Sequence, residues 1–280
     1  VSSRVDRYGV MGNPVGHSKS PMIHSLFAEQ TGQKLRYEAI LVEIGDFDRA
    51  VEFFCDEGGR GLNVTVPFKR DAWRRVDERS PRAELAGAVN TIVVREDGSL
   101  LGDNTDGVGL VRDILNNLSV PLTAKKILIL GAGGAVRGVL GPILEQQPAS
   151  VVIANRTPVR AQELAEAFES LGSVDGCSFD ELDGSSFDVV INGTSASLKG
   201  EVPPLPDALL AKGALCYDMM YGAEPTPFMV WADDHNSARI SDGLGMLVEQ
   251  AAESFAIWRG IKPQTAPVIA GVRKSLSSAN

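Results

Sequence analysis

Two stretches of this 280-residue chain carry residue types spaced for chemistry. The first is "ILILGAGGAVRG", where Gly131, Gly133 and Gly134 stand between a buried apolar run and a helical pattern. Such a turn needs glycine, and a second glycine lets the backbone approach a pyrophosphate resting on helix N–H groups. Gly131, Ala132, Gly133, Gly134 and Ala135 therefore form a candidate phosphate loop, although Val136 takes the place of the usual third glycine. About twenty residues on, "VVIANRTPVR" ends a second apolar run in Asn155, Arg156 and Thr157. An acid there would bind the ribose 2′-hydroxyl of NAD and repel a 2′-phosphate. Arginine instead offers a permanently charged fork suited to phosphate, and Thr157 adds a hydroxyl able to cap the next helix. The cofactor expected is NADP. The alternatives are a helix-packing turn at the glycines and a solvated loop arginine.

The second set lies mostly in the first half. "GNPVGHSKSP" brings Ser18 and Ser20 to the end of a strand, and "NVTVPFK" brings Thr65 and Lys69 to the end of another. Asn90 interrupts the apolar "GAVNTI", and "GDNTDG" gathers Asp103, Asn104, Thr105 and Asp106. Hydroxyls, an amide, a lysine and a carboxylate suit a small polyhydroxylated substrate. Each also has a structural reading: Ser20 as a helix cap, Asn90 as a satisfied core amide, Asp103 or Asp106 as a turn residue.

These residues need a scaffold, and the sequence predicts one of alternating strands and helices. "RYGVMG", "LRYEAILVE" and "GLNVTVPF" read as strands, separated by helices over "SPMIHSLFAEQTG" and "DFDRAVEFFCDEGG". "AVNTIVVREDGSLLGD" reads as a hairpin turning at Asp97-Gly98. After "DGVGLVRDILNNL" a second series begins, with strands "KKILIL", "SVVIAN", "FDVVIN" and "ALCYDMMY", and a helix through Ala161–Phe168. "GLGMLVEQAAESFAIWRG" reads as an amphipathic helix with Leu244, Leu247, Val248, Ala251, Phe255 and Trp258 on one face. The fold class is α/β with mostly parallel pairing. An N-terminal α/β substrate domain (1–105 and 242–280) is expected beside a doubly wound Rossmann-type NADP domain (106–241), the last helices returning to the first.

Composition bounds the rest. With 44% hydrophobic and 22% charged residues, the chain can bury a sizeable core. Its net charge of −9 argues against nucleic acid or an anionic membrane as partner. No apolar run is long enough for a membrane span, and the first residues lack a signal-peptide core. Cys55, Cys177 and Cys216 form no CxxC pair, which suits ordinary thiols in a reducing cytoplasm and no metal site. The expected working unit is a monomer or homodimer.

Taken together, "GNPVGHSKSP", "NVTVPFK", "GAVNT", "GDNTDG", "GAGGAVRG", "ANRT", "INGTS" and "DGLGMLVEQAAESF" closely resemble the shikimate dehydrogenase family, from Gly12 to Phe255. The resemblance implies reversible NADPH-dependent reduction of 3-dehydroshikimate to shikimate, a step toward chorismate and the aromatic amino acids. It implies that Ser18 and Ser20 hold the substrate carboxylate, and that Thr65, Asn90, Asp106 and Gln250 bind ring hydroxyls. Lys69 matches the catalytic lysine and Asp106 its partner. Tyr221 matches a residue near substrate and nicotinamide, and Met219 and Gly243 match nicotinamide-side contacts. Pro81 stands where many members carry an acid, and Ser25 where Asn is more frequent.

Reducing a ketone builds negative charge on its oxygen, which Lys69 can stabilise and protonate. Whether Lys69, Asp106 or a relay through both takes the proton in the reverse direction stays open, with His17 and His24 as possible helpers. The rival readings are a quinate/shikimate dehydrogenase with looser cofactor choice and a non-catalytic NADP(H)-binding sensor. The cofactor expectation has a direct check. Charge-assisted hydrogen bonds contribute about 1.5–3 kcal/mol each. Arg156→Ala should therefore weaken NADP binding about tenfold or more while NAD binding barely changes. Equal losses for the two nucleotides in a fluorescence titration would remove Arg156 from the 2′-phosphate.

Overall fold

The computed structural model of the chain describes residues 5–278. It opens with β1 (Asp6–Gly12), α1 (Ser20–Thr31), β2 (Leu35–Leu41), α2 (Phe47–Asp56) and β3 (Gly59–Val64). Next come α3 (Lys69–Arg75), β4 (Glu78–Arg79), α4 (Pro81–Ala86), β5 (Thr91–Val94) and β6 (Leu100–Asp103). Helix α5 (Asp106–Arg112) runs on into a widened π turn over Asp113–Asn117. The second series is β7 (Lys126–Leu130), α6 (Gly134–Leu144), β8 (Ser150–Ala154), α7 (Pro158–Glu166), β9 (Val174–Cys177), β10 (Phe187–Asn192) and β11 (Leu210–Asp218). It ends with α8 (Pro227–Asp234), β12 (Arg239–Ser241), α9 (Leu244–Arg259) and α10 (Ala266–Ser277).

Two compact units result. One runs to Gly109 and resumes over Val248–Ser275; the other spans Leu110–Leu247, and residues from Leu276 group with it. The divisions fall inside α5 and α9, a few residues beyond the expected junctions at 105/106 and 241/242. A helix keeps its hydrogen bonds across such a point, so no loop or composition change marks it in the sequence.

In the first unit the strand order is β2-β1-β3-β5-β6-β4. The helical crossovers make β1 parallel to β2 and β3, the Asp97-Gly98 hairpin makes β5 antiparallel to β6, and β5 also runs antiparallel to β3. The sheet is thus mixed. One core cluster packs Met11, Leu62, Val64 and Ile92 with Phe54 and Phe68. In another, rings of Phe27, Phe255 and Trp258 gather around His24. The parallel strands β1 and β3 end side by side, so the loops after Gly12 and Val64 leave from the same edge.

The second sheet is wholly parallel, in the order β12-β11-β10-β7-β8-β9. This is the doubly wound arrangement, with its reversal between β7 and β10. Ile127 through Leu130 are fully buried, as expected for a central strand covered on both faces. Register puts Leu130, Ala154, Asn192 and Asp218 in one row at the strand ends. Strand β11 closes at Asp218, so Met219 and Tyr221 lie in the following loop, not in the strand the sequence suggested.

Helix α9 is buried more widely than a single apolar face. Leu244, Val248, Ala251 and Phe255 are inside, but so are Glu249, Ala252 and Ser254, while Leu247 and Trp258 are half-buried. Among the described residues no helix is long and apolar enough to cross a membrane. The aromatic cluster makes a stability prediction. The Phe255 ring centroid lies 5.6 Å from Phe27 and 6.1 Å from His24. Truncating such a ring leaves a cavity worth about 3–5 kcal/mol. Phe255→Ala should lower the urea midpoint of the unit accordingly, measured by circular dichroism.

Candidate active site

In the first unit, the orientation of one amide organises the polar cluster. Asn90 stands just before β5 and is 3% exposed. Its Oδ1 accepts the backbone N–H of Thr105 at 2.9 Å and the Thr91 hydroxyl at 2.9 Å. A backbone N–H can only donate, so the Asn90 NH2 must point the other way. There it donates to Asp106 Oδ1 at 2.8 Å and reaches Gln250 Oε1 at 3.3 Å. The other Asp106 oxygen, Oδ2, accepts from Lys69 Nζ at 2.5 Å. The Lys69 side chain is 30% exposed and that of Asp106 12%, so the lysine keeps part of its surface open.

Local structure explains the placement. Lys69 opens α3 after the turn that follows β3, with Phe68 N–H bonded to Thr65 O. Asp106 opens α5, and its N–H donates to Asn104 Oδ1 at 3.1 Å. Asn104 in turn donates to Ala88 O and to Asp103 Oδ1. Asp103 is gripped by both nitrogens of the Arg82 fork at 2.7 Å and by the Ser80 hydroxyl at 2.5 Å. Burial alone would raise the Asp103 pKa; the Arg82 and Ser80 bonds outweigh it and hold the carboxyl below its usual range. Pro81, where many family members carry an acid, is the first residue of α4, which Ser80 caps through Ala83 N.

Behind Asn90 runs a chain of buried groups that the sequence did not single out as site residues. Thr91 Oγ1 meets Ser254 Oγ at 2.8 Å, Asn63 donates to Ser254 at 3.0 Å, and the Tyr37 hydroxyl donates to Asn63 at 2.7 Å. Thr105 contacts Gln250 and Ser254, each at 3.3 Å. The available signals were polar side chains inside apolar strands, as in "GLNV", and Ser254 one helical turn after Gln250.

Ser18, Ser20 and Thr65 come from the neighbouring ends of β1 and β3. Ser20 does not cap α1, contrary to the structural reading of the sequence. It is the first helical residue, and its N–H donates to Ser18 Oγ at 3.3 Å. No hydrogen bond links the serines to the Lys69–Asp106 pair among the described residues. Burial raises the Tyr37 pKa well above the usual range, so the phenol stays neutral. His17 is exposed. His24 is fully buried, stacked on Tyr37 at 4.2 Å, and burial pushes its pKa down to about 3. Among the described residues neither ring nitrogen has a hydrogen-bond partner, and with its pKa that low His24 packs as a neutral ring at neutral pH.

In the second unit Gly131 follows β7 at φ +100°, and a Cβ there would crowd Gly193 O at 3.2 Å. Gly133 occupies the N-cap of α6 without a side-chain cap, and Gly133, Gly134 and Ala135 are exposed. A Cβ added at Gly133 or Gly134 would meet nothing within 4 Å. Open space before an uncapped helix N-terminus fits a phosphate; Ala132 flanks it, half-buried. Beyond β8, Arg156 and Thr157 are exposed. Thr157 takes the N-cap position of α7 but its hydroxyl makes no capping bond, which corrects the expected role; Asn155 donates to Thr157 O at 3.0 Å. Met219 and Gly243 touch: the Gly243 N–H donates to Met220 O at 2.9 Å, and a Cβ on Gly243 would lie 2.2 Å from Met219 O. Tyr221 is half-buried; burial, with Asp242 nearby, raises its pKa.

Known proteins match both units. The family model for the shikimate dehydrogenase substrate binding domain matches residues 10–92, that for shikimate / quinate 5-dehydrogenase residues 111–199, and that for the shikimate 5′-dehydrogenase C-terminal domain residues 243–273. A shikimate dehydrogenase (NADP(+)) of Alkalilimnicola ehrlichii is 60% identical over 96% of this chain and 98% of its own. The crystal structure of an Ael1 enzyme from Pseudomonas putida superposes with a TM-score of 0.91 at 47% identity, covering 95% of this chain and 97% of that one. Shikimate 5-dehydrogenase from Thermus thermophilus, solved with NADP(H) and shikimate, gives 0.86 at 31% identity over 97% and 100%.

The Asp103 grip predicts a pH dependence. Its folded pKa lies below the unfolded value of about 3.9, so its stabilisation is complete above that value and fades as pH falls toward the folded pKa. Asp103→Asn should be destabilised relative to wild type at pH 6, with the gap narrowing below about pH 4. A gap in unfolding free energy that stayed constant across that range would exclude the linkage.

Proposed function

The chain belongs to the shikimate dehydrogenase family, and on that premise we propose how its own residues interconvert shikimate and 3-dehydroshikimate with NADP(H). The first unit binds the substrate. Ser18 and Ser20 take its carboxylate near the start of α1, where the helix dipole favours an anion. Thr65, Asn90, Asp106 and Gln250 take the ring hydroxyls. The second unit binds NADP, with Gly131 to Ala135 on the pyrophosphate, Asn155, Arg156 and Thr157 on the 2′-phosphate end, and Met219, Tyr221 and Gly243 on the nicotinamide side. When bound, the nicotinamide supplies or accepts the hydride.

The observation that carries the reading is the Lys69–Asp106–Asn90 contact. Both Asp106 oxygens are engaged, so the carboxylate cannot turn away and the ammonium is held in place. In reduction Lys69 Nζ gives a proton to the oxygen that becomes the hydroxyl, neutralising charge as it forms. In oxidation the proton returns to the pair, with Asp106 as its anionic half. The cytoplasm is the compartment of this reading, suited to the unpaired Cys55, Cys177 and Cys216.

Purified protein should reduce NADP in the presence of shikimate, followed by absorbance, and do so faster than with NAD or with quinate. Parity with quinate would favour the broader enzyme, and tight NADP binding without turnover a sensor. Lys69→Ala should lower kcat at least about a hundredfold with little change in KM. Asp106→Ala should lower kcat and also raise the shikimate KM. Because the two share one task, the double variant should be far less impaired than the product of the singles. Multiplicative losses, or normal turnover in Lys69→Ala, would show the pair to be no catalytic unit.

A further inference from the structure

The second unit buries a carboxylate and a phenol against each other. Asp113 is 3% exposed and Tyr217 is fully buried. The Tyr217 hydroxyl donates to Asp113 Oδ2 at 2.7 Å and accepts the Met246 N–H at 3.3 Å. Asn117 donates to Asp113 Oδ1 at 2.9 Å. Burial, then the Asp113 charge, push the Tyr217 pKa well above its usual range, so the phenol keeps its proton for the carboxylate. Three elements meet at this oxygen: the end of β11, the π turn that extends α5, and the first turn of α9. Burying an acid is unfavourable unless it is well partnered, and an apolar residue would fill the space without that penalty. The arrangement therefore has a use other than packing.

Its neighbours indicate that use. Tyr217 precedes Met219 by two residues, and Met246 follows Gly243 by three. Met219 and Gly243 are in backbone contact, so both sides of that contact are tied to one oxygen. Gly245 presses on the same carboxylate: a Cβ there would fall 2.0 Å from Asp113 Oδ1. Leu244 N–H is held by Asp242 Oδ1 at 3.2 Å, which fixes the start of the helix from the other side.

We propose that Tyr217 and Asp113 are positioning residues for hydride transfer, clamping the Met219–Gly243 contact against which the nicotinamide rests. The clamp rests on the functional reading above for the role of Met219 and Gly243. Loosening it moves the nicotinamide floor while leaving the phosphate loop and Arg156 untouched, so the reacting carbons lose alignment and the nucleotide stays bound. Misplacement of reacting groups by a fraction of an ångström to an ångström is enough to slow a reaction about tenfold to a hundredfold.

Tyr217→Phe removes only the hydroxyl. It should lower kcat about tenfold or more, leave the NADPH dissociation constant near that of wild type, and enlarge the isotope effect measured with shikimate deuterated at the oxidised carbon. Amide hydrogen exchange over residues 243–247 should quicken in the same variant, a readout independent of turnover. Asp113→Asn keeps an acceptor for the phenol and should lie nearer wild type than Asp113→Ala in all three measurements; it also carries the test if Tyr217→Phe fails to fold. Unchanged exchange and isotope effect in a folded variant would overturn the clamp. So would a kcat loss matched by an equal loss of NADPH affinity, because that is general damage. Absence of shikimate turnover in wild type would instead reject the functional reading, and the exchange data alone would then decide the clamp.

Discussion

A carboxylate withdrawn from water has to be fully partnered, and the first unit is built around meeting that condition for Asp106. One oxygen is met by Lys69 and the other by Asn90. Asn90 can serve only because Thr105 N–H fixes which way its amide faces. Thr91, Ser254, Asn63 and Tyr37 then satisfy the groups behind it. Five segments distant in sequence contribute, which is why the unit needs both halves of its discontinuous chain: Gln250 and Ser254 arrive from α9. A buried polar network of this kind is favourable when complete and unfavourable when one member is missing.

The second unit solves a different problem with the same rule. Its parallel strands end in a row, and the loops leaving that row carry backbone donors with no side chain to occupy them. The uncapped start of α6 is the clearest case. Where a loop must be stiff, a buried acid is used. Asp218 is fully buried and accepts from Ser197 at 2.9 Å, Thr226 at 2.6 Å and Met220 N–H at 3.0 Å, tying the loop after β10 to the one after β11. Asp113 does the same for the start of α9. The open positions, after β7 and β8, and the braced ones, after β10 and β11, lie side by side along one edge.

The first unit holds two cation–carboxylate pairs of similar burial that are bound differently. Arg82 donates to both oxygens of Asp103, which also accepts the Asn104 N–H, and so holds the turn that precedes Asp106. Lys69 shares its charge with one carboxylate and keeps part of its surface open.

What the sequence determined by itself was whatever depends on short-range pattern. The glycine turn after β7, the arginine after β8, the hairpin at Asp97-Gly98 and the parallel second sheet all follow from local spacing, and the structure has them. The polar motifs of the first half were equally visible as residues out of place in apolar runs. Tertiary structure decided the rest. Domain junctions lie within α5 and α9, where a continuous helix leaves no local mark. His24 looked available for proton transfer beside the "GNPVGHSKSP" loop, but packing against Tyr37 and Phe255 buries it neutral. Ser20 and Thr157 had the right types to cap helices, yet neither does: Ser20 already lies inside α1, with Lys19 at the N-cap, and the Thr157 hydroxyl makes no capping bond. Asn63, Ser254, Tyr217 and Asp113 acquire their roles only through partners dozens of residues or more away. Hydrogen-bond partners separated that far in sequence are chosen by the packing of whole elements, and no local window contains them.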